Sequence, residues 1–102
     1  MNYPEGTQEI RKIRDRYGNE VELVDEQDEG VPYRVLAEFR YEGREYAVLQ
    51  SEAMRKDGEV AVYRIRSEGG EPELEQIDDD DEWETVSELA DEMTFASGLE
   101  QA

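Results

Sequence analysis

Between Val31 and Gln50 apolar and polar residues alternate with the period of two that a half-buried strand requires. Tyr33, Val35, Ala37, Phe39 and Tyr41 share one parity, and Arg34, Leu36, Glu38 and Arg40 take the other. Glu42-Gly43 interrupts the run, with glycine supplying the positive φ of a tight turn. Alternation then resumes through Arg44, Glu45, Tyr46, Ala47, Val48 and Leu49. A two-residue loop sets Phe39 opposite Tyr46, Ala37 opposite Val48, Leu36 opposite Leu49 and Arg40 opposite Glu45. Those pairs match aromatic with aromatic and base with acid, and a slip of one residue loses all of them.

Strands are expected on both sides of this hairpin. Val21 to Val24 precedes a turn-rich stretch, Asp25 to Gly30, and runs antiparallel to the strand that begins at Val31. Val60 to Arg66 alternates again after a loop over Met54 to Gly58. A short last strand, Glu73 to Ile77, follows the turn residues Gly69-Gly70-Glu71-Pro72. Connections this short make sequence neighbours sheet neighbours, giving an antiparallel β-meander of about four to five strands.

Beyond Ile77 the period changes. Trp83, Val86, Ala90 and Met93 recur at helical spacing, with Leu89 widening the stripe. One of Asp79 to Asp81 supplies an N-cap, Glu82 and Glu84 sit in the first turn where the helix dipole favours anions, and Ser97-Gly98 supplies a stop. The pattern predicts an amphipathic helix over Asp80 to Ala96, packed through this stripe on one face of the sheet, with Glu84, Ser87, Glu88, Asp91 and Glu92 in water. The fold class is α+β.

The first residues admit two readings. Ile10, Ile13 and Tyr17 have helical spacing, and Arg11 with Asp15 makes an i, i+4 pair. Alternatively, Tyr17-Gly18-Asn19 turns a hairpin between an N-terminal strand and Val21 to Val24. The two isoleucines fall on opposite faces of a strand, which favours the helix. Residues 1–18 thus read as an N-terminal segment, partly disordered or a short helix, with disorder expected over Met1 to Gly6. Residues 19–97 read as a single α+β domain and 98–102 as a disordered tail.

Charge changes the picture more than composition does. All eleven Lys and Arg lie between Arg11 and Arg66, and the fourteen acids after Arg66 have no base among them. The first 66 residues hold fifteen acids against eleven bases, a net of only four negative charges. A total of −18 repels phosphate backbones and anionic lipid, which argues against direct nucleic-acid or membrane binding. With no His and no Cys, the commonest general base, zinc ligands and thiolate nucleophile are missing, and the expectation is a non-enzyme without cofactors. The absence of Cys, of a secretory signal and of a long apolar run fits a cytoplasmic protein.

The hairpin Glu38 to Leu49, the run Gly70 to Ile77 and the stretch Asp81-Glu82-Trp83-Glu84 together resemble the YrzB-like small acidic bacterial proteins, a domain-of-unknown-function family of the DUF1292/UPF0473 type. The resemblance covers about Val21 to Met93 and implies a small intracellular domain with no assigned activity or site residues.

Three candidate sites can be weighed. Asp78 to Glu82 could gather oxygens around a divalent cation, although Trp83 stands where an EF-hand loop needs Gly, and a cap-and-dipole role already accounts for the run. Arg11, Lys12, Arg14 and Arg16 lack an aromatic stacking platform for nucleic acid and are expected to pair with the acidic face of the molecule. Tyr41 and Tyr46 are expected to serve packing. The expected functional feature is an acidic interaction surface made of Asp78, Asp79, Asp80, Asp81, Glu84, Glu88, Asp91 and Glu92. It would serve a noncatalytic protein-interaction module, a monomer or weak dimer, that binds a basic protein. The alternatives are a nucleic-acid mimic that regulates an RNA- or DNA-processing enzyme and, with least support, an enzyme that uses carboxylates alone.

Overall fold

The computed structural model describes residues 6–24, 27–67 and 69–97. The disorder expected at the two ends falls on residues outside these, apart from Gly6, which stands in a turn. The hairpin forms between β3 (Gly30–Tyr41) and β4 (Arg44–Ser51), where Glu42 and Gly43 both take positive φ, 51° and 80°. Such a turn matches the right-handed twist of the strands it joins. Phe39 faces Tyr46, Arg40 faces Glu45 and Ala37 faces Val48, as the alternation predicts.

Beyond Ala37 the register departs from expectation. Leu49 lies opposite Val35, and Leu36 is the extra residue of a β-bulge. One inserted residue exchanges the two faces of a strand. Tyr33 and Val35 therefore pack with Ala47 and Leu49 on one side of the sheet, while Ala37 and Phe39 pack with Tyr46 and Val48 on the other. The five residues of one parity do not share a face.

Beyond the hairpin, β5 (Ala61–Arg66) pairs with β4, and β6 (Glu73–Glu75) pairs with β5. On the other side β1 (Thr7–Glu9) and β2 (Glu20–Val24) share one edge of β3, β1 beside Phe39 to Tyr41 and β2 beside Gly30 to Arg34. All pairs are antiparallel, and β1 brings the sheet to six strands among the described residues. Between β1 and β2 the chain leaves the edge as α1 (Lys12–Tyr17). It departs where Ile10 N donates to the Glu38 carbonyl (3.1 Å) and returns where the Asn19 carbonyl accepts from Val35 N (2.9 Å). The helix reading thus holds over Lys12–Tyr17, while the alternative hairpin does not form, because the N-terminal strand pairs with β3 and not with β2.

The expected loop over Met54 to Gly58 is mostly a helix, α2 (Glu52–Asp57). Ser51 Oγ caps it by accepting from Met54 N at 3.2 Å, and Gly58 at φ 73° closes it. The last helix, α3 (Asp80–Ser97), buries Val86, Ala90 and Met93 on the sheet face that carries Phe39, Tyr46 and Val62. Each such burial contributes about 1.5–3 kcal/mol for Val or Met. Ile13 of α1 is buried on the other face against Val35, Ala47, Leu49 and Ile65.

Trp83 corrects the predicted stripe. It is 41% exposed, and Glu82 takes the inward place. Adjacent helical residues point about 100° apart, so only one of the two can continue the Val86–Ala90 ridge. Tyr46 and Arg64 draw the Glu82 carboxylate inward, which turns Trp83 out. Among the described residues no helix is long and apolar enough to cross a membrane.

Candidate functional site

The start of α3 is fixed by its own acids. Asp79 Oδ1 accepts from Glu82 N at 3.1 Å and caps the helix, and Asp80, Asp81 and Glu82 occupy the first turn. These carboxylates offset the positive end of the helix dipole. All eight residues of the expected acidic surface, Asp78, Asp79, Asp80, Asp81, Glu84, Glu88, Asp91 and Glu92, are exposed. Glu84, Glu88 and Glu92 follow one another at four-residue intervals, about 6 Å of rise each. The last turn carries no base, and Asp91 and Glu92 lie in the turn before it. Trp83 emerges beside Asp80 and lines a shallow cleft of about 350 Å³ with Ile77 and Val62. Among the described residues no three acidic side chains are gathered so as to hold a metal ion.

Beneath this surface Glu82 is buried and fully engaged. Tyr46 Oη donates to its Oε2 at 2.5 Å, Arg64 donates to its Oε1, and Arg44 lies 3.4 Å from Oε2. Burial pushes the Glu82 carboxyl up, but the hydrogen bonds from Tyr46 and Arg64 and the charges of Arg64 and Arg44 hold it below the usual carboxylate range. Burial and the neighbouring Glu82 push the Tyr46 hydroxyl up to about 12. Arg64 also reaches Glu75 at 3.3 Å. A cleft of about 290 Å³ opens beside the cluster, walled by Tyr41, Arg44, Asp79 and Thr85.

A second buried acid, Glu38, organises the opposite face. Its carboxylate, with no solvent exposure, accepts from Ile13 N (2.6 Å), Arg14 N (3.1 Å) and Arg14 Nε (2.8 Å). It serves α1 as a cap supplied from the sheet, since Arg11 at the N-cap position makes no side-chain cap bond. The basic segment finds its partners locally, on the sheet and in the turn before β6 rather than on α3. Arg11 meets Asp15 (3.7 Å), Lys12 meets Glu45 (2.8 Å), Arg14 meets Glu38, and Arg16 meets Glu71 (2.7 Å). Burial raises the Glu45 carboxyl, but Lys12 and Arg40 outweigh it and leave it below its ordinary range.

Neither glutamate was expected from the sequence to be buried, Glu82 being read there as a first-turn anion and a member of the Asp78 to Glu82 run, yet each carries a signal. Glu38 stands in the middle of the central strand between Ala37 and Phe39, and Glu82 shares the i, i+4 ridge of Val86 and Ala90.

The family model described as protein of unknown function (DUF1292) matches residues 26–94. A UPF0473 protein of Heliobacterium modesticaldum is 31% identical over 84 residues, which cover 81% of this chain and 93% of the relative. A UPF0473 protein of Caldicellulosiruptor bescii is 32% identical over 75 residues, 70% of this chain and 76% of the relative. No solved structure matches.

Proposed function

Because this chain belongs to the DUF1292 family of proteins of unknown function, membership brings no activity with it, and we propose a function from the surface instead. The protein is a noncatalytic interaction module that presents the wet face of α3 to a basic protein. The carrying observation is that eight carboxylates lie exposed on the segment that also turns Trp83 outward, with no base after Arg66. Arg16 of α1 engages Glu71, and Arg64 and Arg66 of β5 engage Glu82 and Glu75, acids off that wet face. Tryptophan is over-represented among residues that dominate binding energy, and a carboxylate field steers and selects a cationic partner. Support for a noncatalytic reading comes from Glu82, whose two oxygens are taken by Tyr46 and Arg64 and whose carboxyl is held ionised.

The test is capture from native-cell extract at low and then high salt, with the wild-type chain and with Glu84→Gln/Glu88→Gln/Asp91→Asn/Glu92→Gln. The expected result is a basic protein retained at low salt by the wild type and lost by the variant. Retention of no basic protein at low salt overturns the proposal. Displacement of the captured protein by RNA or DNA would turn the reading to a nucleic-acid mimic.

A further inference from the structure

The two outer edges of the sheet border one groove. β2 forms one wall and β6 the other, around a cavity of about 460 Å³ lined by Val21, Leu23 and Leu74, which pack on the cluster of Ile13 and Leu49. One end is closed where the Tyr17 hydroxyl donates to the Pro72 carbonyl at 2.8 Å. Two of the exposed large apolar side chains, Tyr17 at 44% and Val24 at 65%, flank this region. Among the described residues no strand pairs with the outer side of β2 or of β6.

The backbone of β2 is set to receive one. Val35 N donates to the Asn19 carbonyl, so antiparallel alternation makes Val21–Tyr33 and Leu23–Val31 the hydrogen-bonded pairs. The N–H and C=O groups of Glu20, Glu22 and Val24 then point away from β3. Pro32, which has no N–H, stands opposite Glu22, where β3 owes β2 no donor. Each strand from β2 to β6 is antiparallel to the one before, so β2 and β6 run in the same direction. A single strand running against both is antiparallel to both.

Side chains along the groove alternate as well. Val21, Leu23 and Leu74 face the apolar cluster, while Glu20, Glu22 and Glu73 are exposed on the other side. Arg34 stands opposite Glu20, and Arg66 stands opposite Glu73 but is bonded to Glu75, which leaves Glu22 and Glu73 to carry the charge. We infer that this groove takes an extended segment of a partner protein in which apolar and basic residues alternate, added as a strand antiparallel to β2 and β6. A second copy of this chain is excluded as occupant by its charge, since β2 against β2 sets Glu20 and Glu22 against like charges. The inference stands apart from the acidic helical face, and either can fail alone.

The experiment uses the full chain, isotope-labelled, and two peptides of identical composition. In one Lys and Val alternate, and in the other the lysines and valines form two blocks. The expected result is amide shifts over Glu20 to Val24 and Glu73 to Glu75, slowed hydrogen exchange at Glu20, Glu22 and Val24, and about tenfold tighter binding of the alternating peptide. Glu22→Pro removes an outward N–H while sparing the β2–β3 ladder, and Glu22→Lys/Glu73→Lys reverses the charge with the backbone untouched. Each is expected to weaken the alternating peptide about tenfold or more, the second deciding the matter should the first unfold. Equal binding of the two peptides, shifts confined to α3, or wild-type affinity in Glu22→Lys/Glu73→Lys overturns the inference.

Discussion

The Tyr46 hydroxyl donates to the Glu82 carboxylate at 2.5 Å, joining the centre of β4 to the first turn of α3 across 36 residues of sequence. Arg64 of β5 takes the other oxygen, so one side chain ties the acidic helix to two strands. A carboxylate taken from water must be paid for by such partners, and removing it strands a partly buried guanidinium.

Glu82→Gln is therefore expected to destabilise the protein by about 2–3 kcal/mol, below the 3–5 of a fully buried pair because Arg64 keeps some exposure to solvent. Tyr46→Phe removes one hydrogen bond to a charged group, with Arg64 and Arg44 left beside the carboxylate, and is expected to cost about 1.5 kcal/mol. Urea unfolding of the two variants beside the wild type checks the order. A Tyr46→Phe loss larger than that of Glu82→Gln would contradict it.

Stability should fall at both ends of the pH scale. Glu82 and Glu45 titrate below their ordinary 4.5 in the folded chain, so the stability they contribute is present above that value and is lost as pH drops through the lower folded value. Tyr46 moves the other way. The folded state holds a proton that the unfolded chain releases near 10, so stability is lost as pH rises from about 10 to about 12. Burial pushes Tyr63 upward too, so Tyr46→Phe should flatten the alkaline limb without abolishing it. Melting temperature against pH for the two proteins is the measurement.

The C-terminal half of α3 is expected to gain stability from a base. Glu92→Lys removes a carboxylate from the C-terminal half of the helix and adds an i, i+4 pair with Glu88 of about 0.2–0.5 kcal/mol. The same substitution should weaken capture of the basic partner. Thermal unfolding and the low-salt capture assay read the two effects, and stabilisation with undiminished capture would remove this end of the helix from the binding surface.

Glu38→Ala is expected to release α1. Ile13 N and Arg14 N lose their acceptor and Arg14 loses its buried counter-charge, for a loss of about 3 kcal/mol or more. Amide exchange should accelerate at Ile13 and Arg14 well before it does at Val48 in the centre of β4. Uniform acceleration across the chain would show that α1 does not open separately.

The hairpin was legible because its information is local. Alternation from Val31 to Gln50 and the Glu42-Gly43 turn fix which residues pair, and Phe39, Tyr46, Arg40 and Glu45 meet as the pattern requires. The Ser51 cap of α2 was equally local and was overlooked among polar neighbours. The eight surface acids were legible as well, because exposure follows from the absence of anything apolar to bury with them.

The sequence by itself determined the strand period, the hairpin register near its turn, the C-terminal helix and the one-sided distribution of charge. Each follows from neighbours within a few positions. Tertiary structure alone decided that Leu36 bulges and exchanges the faces of β3, that Glu82 rather than Trp83 turns inward, and that Glu38 caps a helix 24 residues before it. The physical reason is common to all three. An inward-facing carboxylate or an unpaired strand residue is unfavourable until distant groups meet it, and Arg64, Tyr46 and the amides of α1 reach their partners only once the sheet has formed.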